Sequence, residues 1–190
     1  MIRRSFLGLG LALGLGLGTA ALAADPGNTL VIEVAGQAKG TIEIALRPDL
    51  APKHVAQIKA LAEQGAYDDV AFHRVIEGFM AQTGDVAFGK KDAFGGGQAG
   101  MGGSSLPDLP AEFTDTPFVR GTVGMARSQD PNSANSQFFI MFAPAPFLDG
   151  QYTVVGEVTS GMDVVDQIAR GEGQSGTVAD PDYMTKVTVK

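Results

Sequence analysis

The stretch Phe72–Asp85, FHRVIEGFMAQTGD, decides how the rest of the chain is read. It sets a guanidinium (Arg74), large apolar side chains and an amide (Gln82) within one short strand-like run that is broken by Gly78. Such a surface needs an aromatic wall, and Ser136–Ile140, SQFFI, supplies one. Side chains alternate along a strand. Phe138 and Ile140 are therefore assigned to the interior, and Gln137 with Phe139 to a binding face. Any one of these apolar residues alone is better read as core. Their joint occurrence with Arg74 favours a groove, to which Phe147 and Leu148 in APFLDGQY (residues 145–152) add further apolar surface.

Working outward, short β-rich runs dominate. Thr29–Val34 and Thr41–Leu46 flank a glycine-containing turn and read as a hairpin. Further strands are expected over Val70–Ile76, Gly121–Ala126, Gln137–Phe142, Thr153–Val158 and Thr185–Val189. Two helices are expected. The first opens at Pro52, with Val55, Ile58, Leu61 and Ala62 on one face, and stops at Gly65. The second runs from Gly161 to Arg170, whose cation suits the negative helix end. Many short strands with two isolated helices predict a mainly β fold, a closed antiparallel barrel capped at its ends. Gly95, Gly97 and Gly100 formally satisfy GxGxxG, but no strong strand precedes them and Pro107 and Pro110 forbid a following helix. The region reads as a long surface loop.

Composition excludes several functions. The 190 residues make one domain's worth of chain, 44% of it hydrophobic. The formal net charge of −7 disfavours nucleic acid and anionic lipid as partners. With no cysteine, and only His54 and His73 as histidines, neither a thiolate site nor a zinc motif can be built, and no metal or cofactor is expected. His73 reads as packed, His54 as exposed. No GxSxG serine is available to activate, and Asp68, Asp69, Asp163 and Asp166 read as solvated charges.

The first residues, MIRRSFLGLGLALGLGLGTAALAAD, have a basic start, an apolar run and a small-residue site ending at Ala23. That is the layout of a signal peptide over residues 1–23, cleaved to leave a domain of 24–190 outside the cytoplasm, in a bacterial periplasm. The run is short and glycine-interrupted for a membrane anchor, so no membrane insertion is expected once the leader is removed. Arg3-Arg4 leaves open the general and the twin-arginine route.

Taken in order, these motifs resemble the cyclophilin family of peptidyl-prolyl cis/trans isomerases, from roughly Thr29 to the C-terminus. The resemblance implies an eight-stranded barrel with two helices, and an enzyme that accelerates X-Pro isomerisation in proline-containing polypeptides without a cofactor. It implies Arg74 and Gln82 as catalytic residues, with Phe79, Met80, Phe139 and Leu148 lining a proline pocket and Gln137 hydrogen-bonding beside it. Ala126 and Arg127, in GMARSQ, match a stretch that pairs with the substrate backbone. Phe147 stands where many eukaryotic members carry Trp, which implies weak cyclosporin binding, and Tyr152 replaces a common His. A monomer is expected. Two other classes remain: a non-catalytic module that captures proline segments, and an unrelated ligand-carrying barrel, which would need a hollow interior.

Overall fold

The computed structural model describes residues 27–190, so the expected leader lies outside the described residues. The element order is β1 (Thr29–Ala35), β2 (Gly40–Leu46), α1 (Pro52–Glu63), β3 (Val70–Ala71), β4 (Arg74–Ile76), β5 (Met80–Thr83), β6 (Thr122–Met125), β7 (Phe138–Met141), β8 (Val154–Ser160), α2 (Met162–Val165) and β9 (Tyr183–Val189). All nine strands join one antiparallel sheet in the order β3-β9-β1-β2-β8-β6-β7-β5-β4. The expected hairpin forms, with Ile32 opposite Ile42.

The strand count corrects the expectation of a closed eight-stranded barrel. The run read as one strand, Val70–Ile76, divides at Phe72-His73, so that β3 pairs with β9 while β4 pairs with β5. These halves are the two edges of the curled sheet, joined by chain continuity and not by a ladder. At the division the backbone bonds elsewhere: Phe72 donates to the Asp182 carbonyl at 2.9 Å and Val75 to that of Gly176 at 2.7 Å.

Packing divides between the two faces. Ile32, Ile42, Ile44, Phe72, Phe138 and Ile140 belong to one large buried cluster. The interior is thus filled by side chains, against the reading as a ligand-carrying barrel. A smaller cluster on the other face gathers Met80, Phe118, Phe139, Met141 and Leu148, and the site is built on it. The glycine-rich region consists of turns and bends with no helix after Gly100, so the dinucleotide fingerprint is accidental.

Helix α1 buries Val55, Ile58, Leu61 and Ala62 as its periodicity requires. His54 is buried, not exposed, because its ring packs at this helix start against Glu112. His54 Nδ1 lies 2.7 Å from Glu112 Oε2, and the same carboxylate accepts the Lys53 and His54 backbone N–H groups at 3.2 Å. Glu112 thus caps the helix from 58 residues away, in place of Ala51, whose side chain makes no cap. Helix α2 is shorter than its periodicity suggests. After Val165 the bonds tighten to Gln167–Val164 and Ile168–Val165, and the Ala169 N–H donates to Asp182 Oδ2 at 2.7 Å. Arg170 bonds the Ile168 and Asp166 carbonyls near its end, as a C-terminal cation should.

Burial pushes the Glu112 carboxyl upward, but the His54 ring and the two helix N–H groups together outweigh it and hold the group below the usual range. The folded state therefore keeps this charge further into acid than the unfolded chain does. Its stabilising contribution is present above the ordinary value of 4.5 and is lost as pH falls through the lowered folded value. Glu112→Gln should cost about 1 kcal/mol at pH 7, the usual effect of losing a helix cap. Thermal melts from pH 7 to pH 3 should show the gap to the unsubstituted protein narrowing below about pH 4.5. A gap that stays constant across that range would rule out this role for Glu112.

Candidate active site

Arg74 opens β4 and lies directly opposite Gln82 of β5, a register that puts both side chains on the outer face of the sheet. Next in the ladder, Gln82 faces Phe139 of β7. The alternation read in SQFFI holds: Phe138 and Ile140 enter the large core, while Phe139 joins the smaller outer cluster. Across β6, Gly124 is Phe139's partner. A Cβ at Gly124 would sit 2.6 Å from both Phe118 and Phe139, so only glycine lets these two rings lie there. They stack at 5.8 Å, and Tyr152 meets Phe139 edge-on at 5.9 Å.

Above Phe139 opens a cleft of about 400 Å³. Met80, Phe79, Leu148 and Phe147 give it apolar walls, and Arg74 and Gln82 line it with Ala126, Arg127 and Tyr152. Phe147 is 64% exposed and packs on Phe79 at 5.7 Å, forming a rim. Every sequence-predicted site residue except Gln137 therefore meets at one cleft. Gln137 lines an adjoining recess of about 280 Å³ with Gly100 and Gly102.

The Arg74 guanidinium is held on two sides. Nε donates to the Ser175 carbonyl at 2.9 Å and Nη1 to Gln82 Oε1 at 3.2 Å, while Nη2 has no partner among the described residues. Burial lowers its pKa and the neighbouring Tyr152 opposes that, but a guanidinium starts so high that it stays charged. Gln82 and Gln137 bond each other at 2.9 Å, and Gln137 Nε2 donates to the Gly100 and Gly102 carbonyls at 3.0 and 2.7 Å. The glutamines thus orient Arg74, and the Gln137 amide donor is already engaged within the chain. Arg127 is likewise a wall: it donates to the Ser128 and Gln151 carbonyls and lies 4.4 Å over the Tyr152 ring. The Ala126 N–H is used on the Gln137 carbonyl at 2.9 Å, while the Ala126 carbonyl accepts no backbone N–H among the described residues.

His73, behind Arg74, is buried, and neither ring nitrogen has a hydrogen-bond partner among the described residues. Burial lowers its pKa and Arg74 adds to this, outweighing Asp85, so the ring is neutral at pH 7 and is a packed residue, as its place on the strand suggested. No three His, Asp or Glu side chains converge as a metal centre among the described residues. Sequence reasoning missed Gln151 in the cleft, Phe118 beneath Phe139 and the Ser175 carbonyl. Gln151 lay within the quoted DGQY, whereas nothing local marks Phe118 or Ser175.

A fixed cation beside a cleft with apolar walls suits a proline ring and its amide. The family model of cyclophilin type peptidyl-prolyl cis-trans isomerases matches residues 29–189. The chain belongs to the cyclophilin family. It is a peptidyl-prolyl cis-trans isomerase, as the names of its relatives are. A probable peptidyl-prolyl cis-trans isomerase of Brucella suis is 63% identical over 172 residues, covering 90% of this chain and 86% of that protein. An Arabidopsis thaliana peptidyl-prolyl cis-trans isomerase is 40% identical over 129 residues, 68% of this chain and 56% of its own. Among solved structures, a Hirschia baltica cyclophilin superposes with a TM-score of 0.70 at 27% identity, covering 87% of this chain and 74% of that one. A Cryptosporidium parvum cyclophilin-type isomerase, crystallised in the presence of the dipeptide Ala-Pro, gives 0.72 at 25% identity, with 85% and 98% covered.

Proposed function

We propose that this cyclophilin is exported to the periplasm and isomerises X-Pro bonds in folding or flexible chains there, with Arg74 easing the loss of amide resonance. An X-Pro amide turns over a barrier near 20 kcal/mol because its C–N bond is partly double. In the twisted state that resonance is gone and the proline nitrogen carries a basic lone pair. No bond breaks, so catalysis needs only a grip on the ring and a donor placed where charge develops. The ring would rest on Phe139 between Met80, Phe79 and Leu148, and the unspent Arg74 N–H groups would meet the reacting amide. About 7 kcal/mol gained in this way amounts to a 10⁵-fold acceleration.

The observation that carries this reading is the Arg74 guanidinium, tied down by Ser175 and Gln82 yet keeping an Nη2 with no partner among the described residues at the wall of the cleft. Gln82 is assigned its orientation, and Ala126 the pairing of its carbonyl with the substrate chain. Export rests on the first 23 residues, and the domain proposed to act, as a monomer without metal or cofactor, is 24–190. The test is a proline-peptide isomerisation assay on residues 24–190 beside Arg74→Ala, together with fractionation of cells making the full chain. Mature protein starting at Ala24 is expected in the periplasmic fraction; a full-length product in the cytoplasm would overturn the export reading. Titration with cyclosporin should show weak inhibition, because the Phe147 rim offers no indole donor.

A further inference from the structure

We propose that Asp85 is a positioning residue for the isomerase: its buried carboxylate sets the place of the Arg74 guanidinium through the glycine-rich loop and two glutamines. This rests on the role given to Arg74 above. Asp85 lies just past β5, is 0% exposed, and its two oxygens accept four backbone N–H groups. Oδ1 takes those of Ala87 and Phe88 at 3.1 and 2.9 Å, closing a local turn. Oδ2 takes those of Gly100 and Gly102 at 2.7 and 3.0 Å, from the far side of the glycine-rich loop. The approach is too close for a side chain on the loop: a Cβ at Gly102 would lie 2.5 Å from Asp85 Oδ1 and 2.8 Å from the Ala87 Cβ.

The loop is strung between two anchors, since the same two residues that donate to Asp85 accept Gln137 Nε2 through their carbonyls. Carbonyls only accept, so Gln137 must turn its NH₂ to the loop and its Oε1 to Gln82. Gln82 must then donate to Gln137 and is left with Oε1 toward Arg74, where it accepts Nη1. Turning either amide over would set donor against donor or acceptor against acceptor. Every bond in the chain donates away from the Arg74 cation and toward the Asp85 anion, so the two amides have one orientation that satisfies all of their partners. The direction of the whole relay therefore depends on where the loop sits, and Asp85 decides that.

Asp85→Asn is nearly isosteric. Its one carbonyl oxygen can keep the Ala87-Phe88 turn, which leaves its NH₂ against the Gly100 and Gly102 N–H groups. kcat, KM and melting temperature are measured for the parent, Asp85→Asn, Gln137→Ala and the double variant. Asp85→Asn should lower kcat about tenfold with KM within about twofold. In the Gln137→Ala background the same change should cost less than about twofold, because the relay is already cut, while both backgrounds lose similar melting temperature. Equal fold losses in kcat in the two backgrounds, or an unchanged kcat in folded Asp85→Asn, would overturn the proposal. Should Asp85→Asn fail to fold, Gly102→Ala displaces the loop from the same carboxylate and is read through the same cycle. With Arg74→Ala inactive and the cycle additive, only the Asp85 role falls; an active Arg74→Ala removes the mechanism beneath both.

Discussion

Replacing Arg74 by Ala should lower kcat/KM for a proline peptide by about 10²- to 10³-fold, the usual cost of deleting one preorganised donor from a transition-state site. The fold should survive. Arg74 is only half-buried, and its removal frees one exposed backbone carbonyl and one amide oxygen at the cleft wall. That is a stability loss of about 1 kcal/mol. Arg74→Lys should recover little. The planar fork reaches Ser175 and Gln82 at once and still has N–H groups left over, whereas an ammonium is a point charge on a flexible stem. The peptide assay with a parallel thermal melt decides the matter, and a folded Arg74→Ala with parental kcat/KM would dispose of the mechanism.

The second large effect contrasts two adjacent residues. Phe138→Ala empties a site that is 1% exposed, where the ring meets Tyr67 edge-on at 5.7 Å. A loss of about 3–5 kcal/mol is expected from the cavity left in a packed core. Phe139→Ala, one position along, removes the floor of the cleft and the contact surface of Phe118 and Tyr152. Stability falls there too, so denaturation alone does not separate the pair. Activity per folded molecule does. Phe138→Ala should keep kcat/KM within about threefold of the parent, while Phe139→Ala should lose about 10- to 100-fold, mostly as a raised KM, because the apolar seat is gone. Equal specific activities in the two folded variants would show that the outer cluster does not seat the substrate.

That contrast was legible beforehand because strand alternation is a local rule: once SQFFI is a strand, Phe138 and Phe139 must face opposite ways. The first helix was legible for the same reason, from its apolar spacing and Pro52. Other features resisted reading because their causes lie far along the chain. His54 looked exposed at a helix start, but Glu112, 58 residues along the chain, closes over it. The second helix stops at Val165, its next bonds tighten to Gln167–Val164 and Ile168–Val165, and beyond them Asp182 takes the Ala169 N–H, a partner invisible to periodicity. Gln137 was read as hydrogen-bonding beside the pocket, and nothing local showed that the folded loop brings the Gly100 and Gly102 carbonyls within reach of its NH₂.

By itself the sequence determined the β-rich class, the places of the two helices, the opposite faces of Phe138 and Phe139 and most of the residues that line the cleft. These follow from periodicity and from motifs a few residues long. Only the tertiary structure decided how Val70–Ile76 divides between two edges of one sheet, which carbonyl holds Arg74, and how a buried carboxylate and a glycine loop meet the glutamines. Each of those depends on a hydrogen-bond partner many positions away. A donor takes the acceptor that is near in space, and nearness in space is settled when the sheet curls.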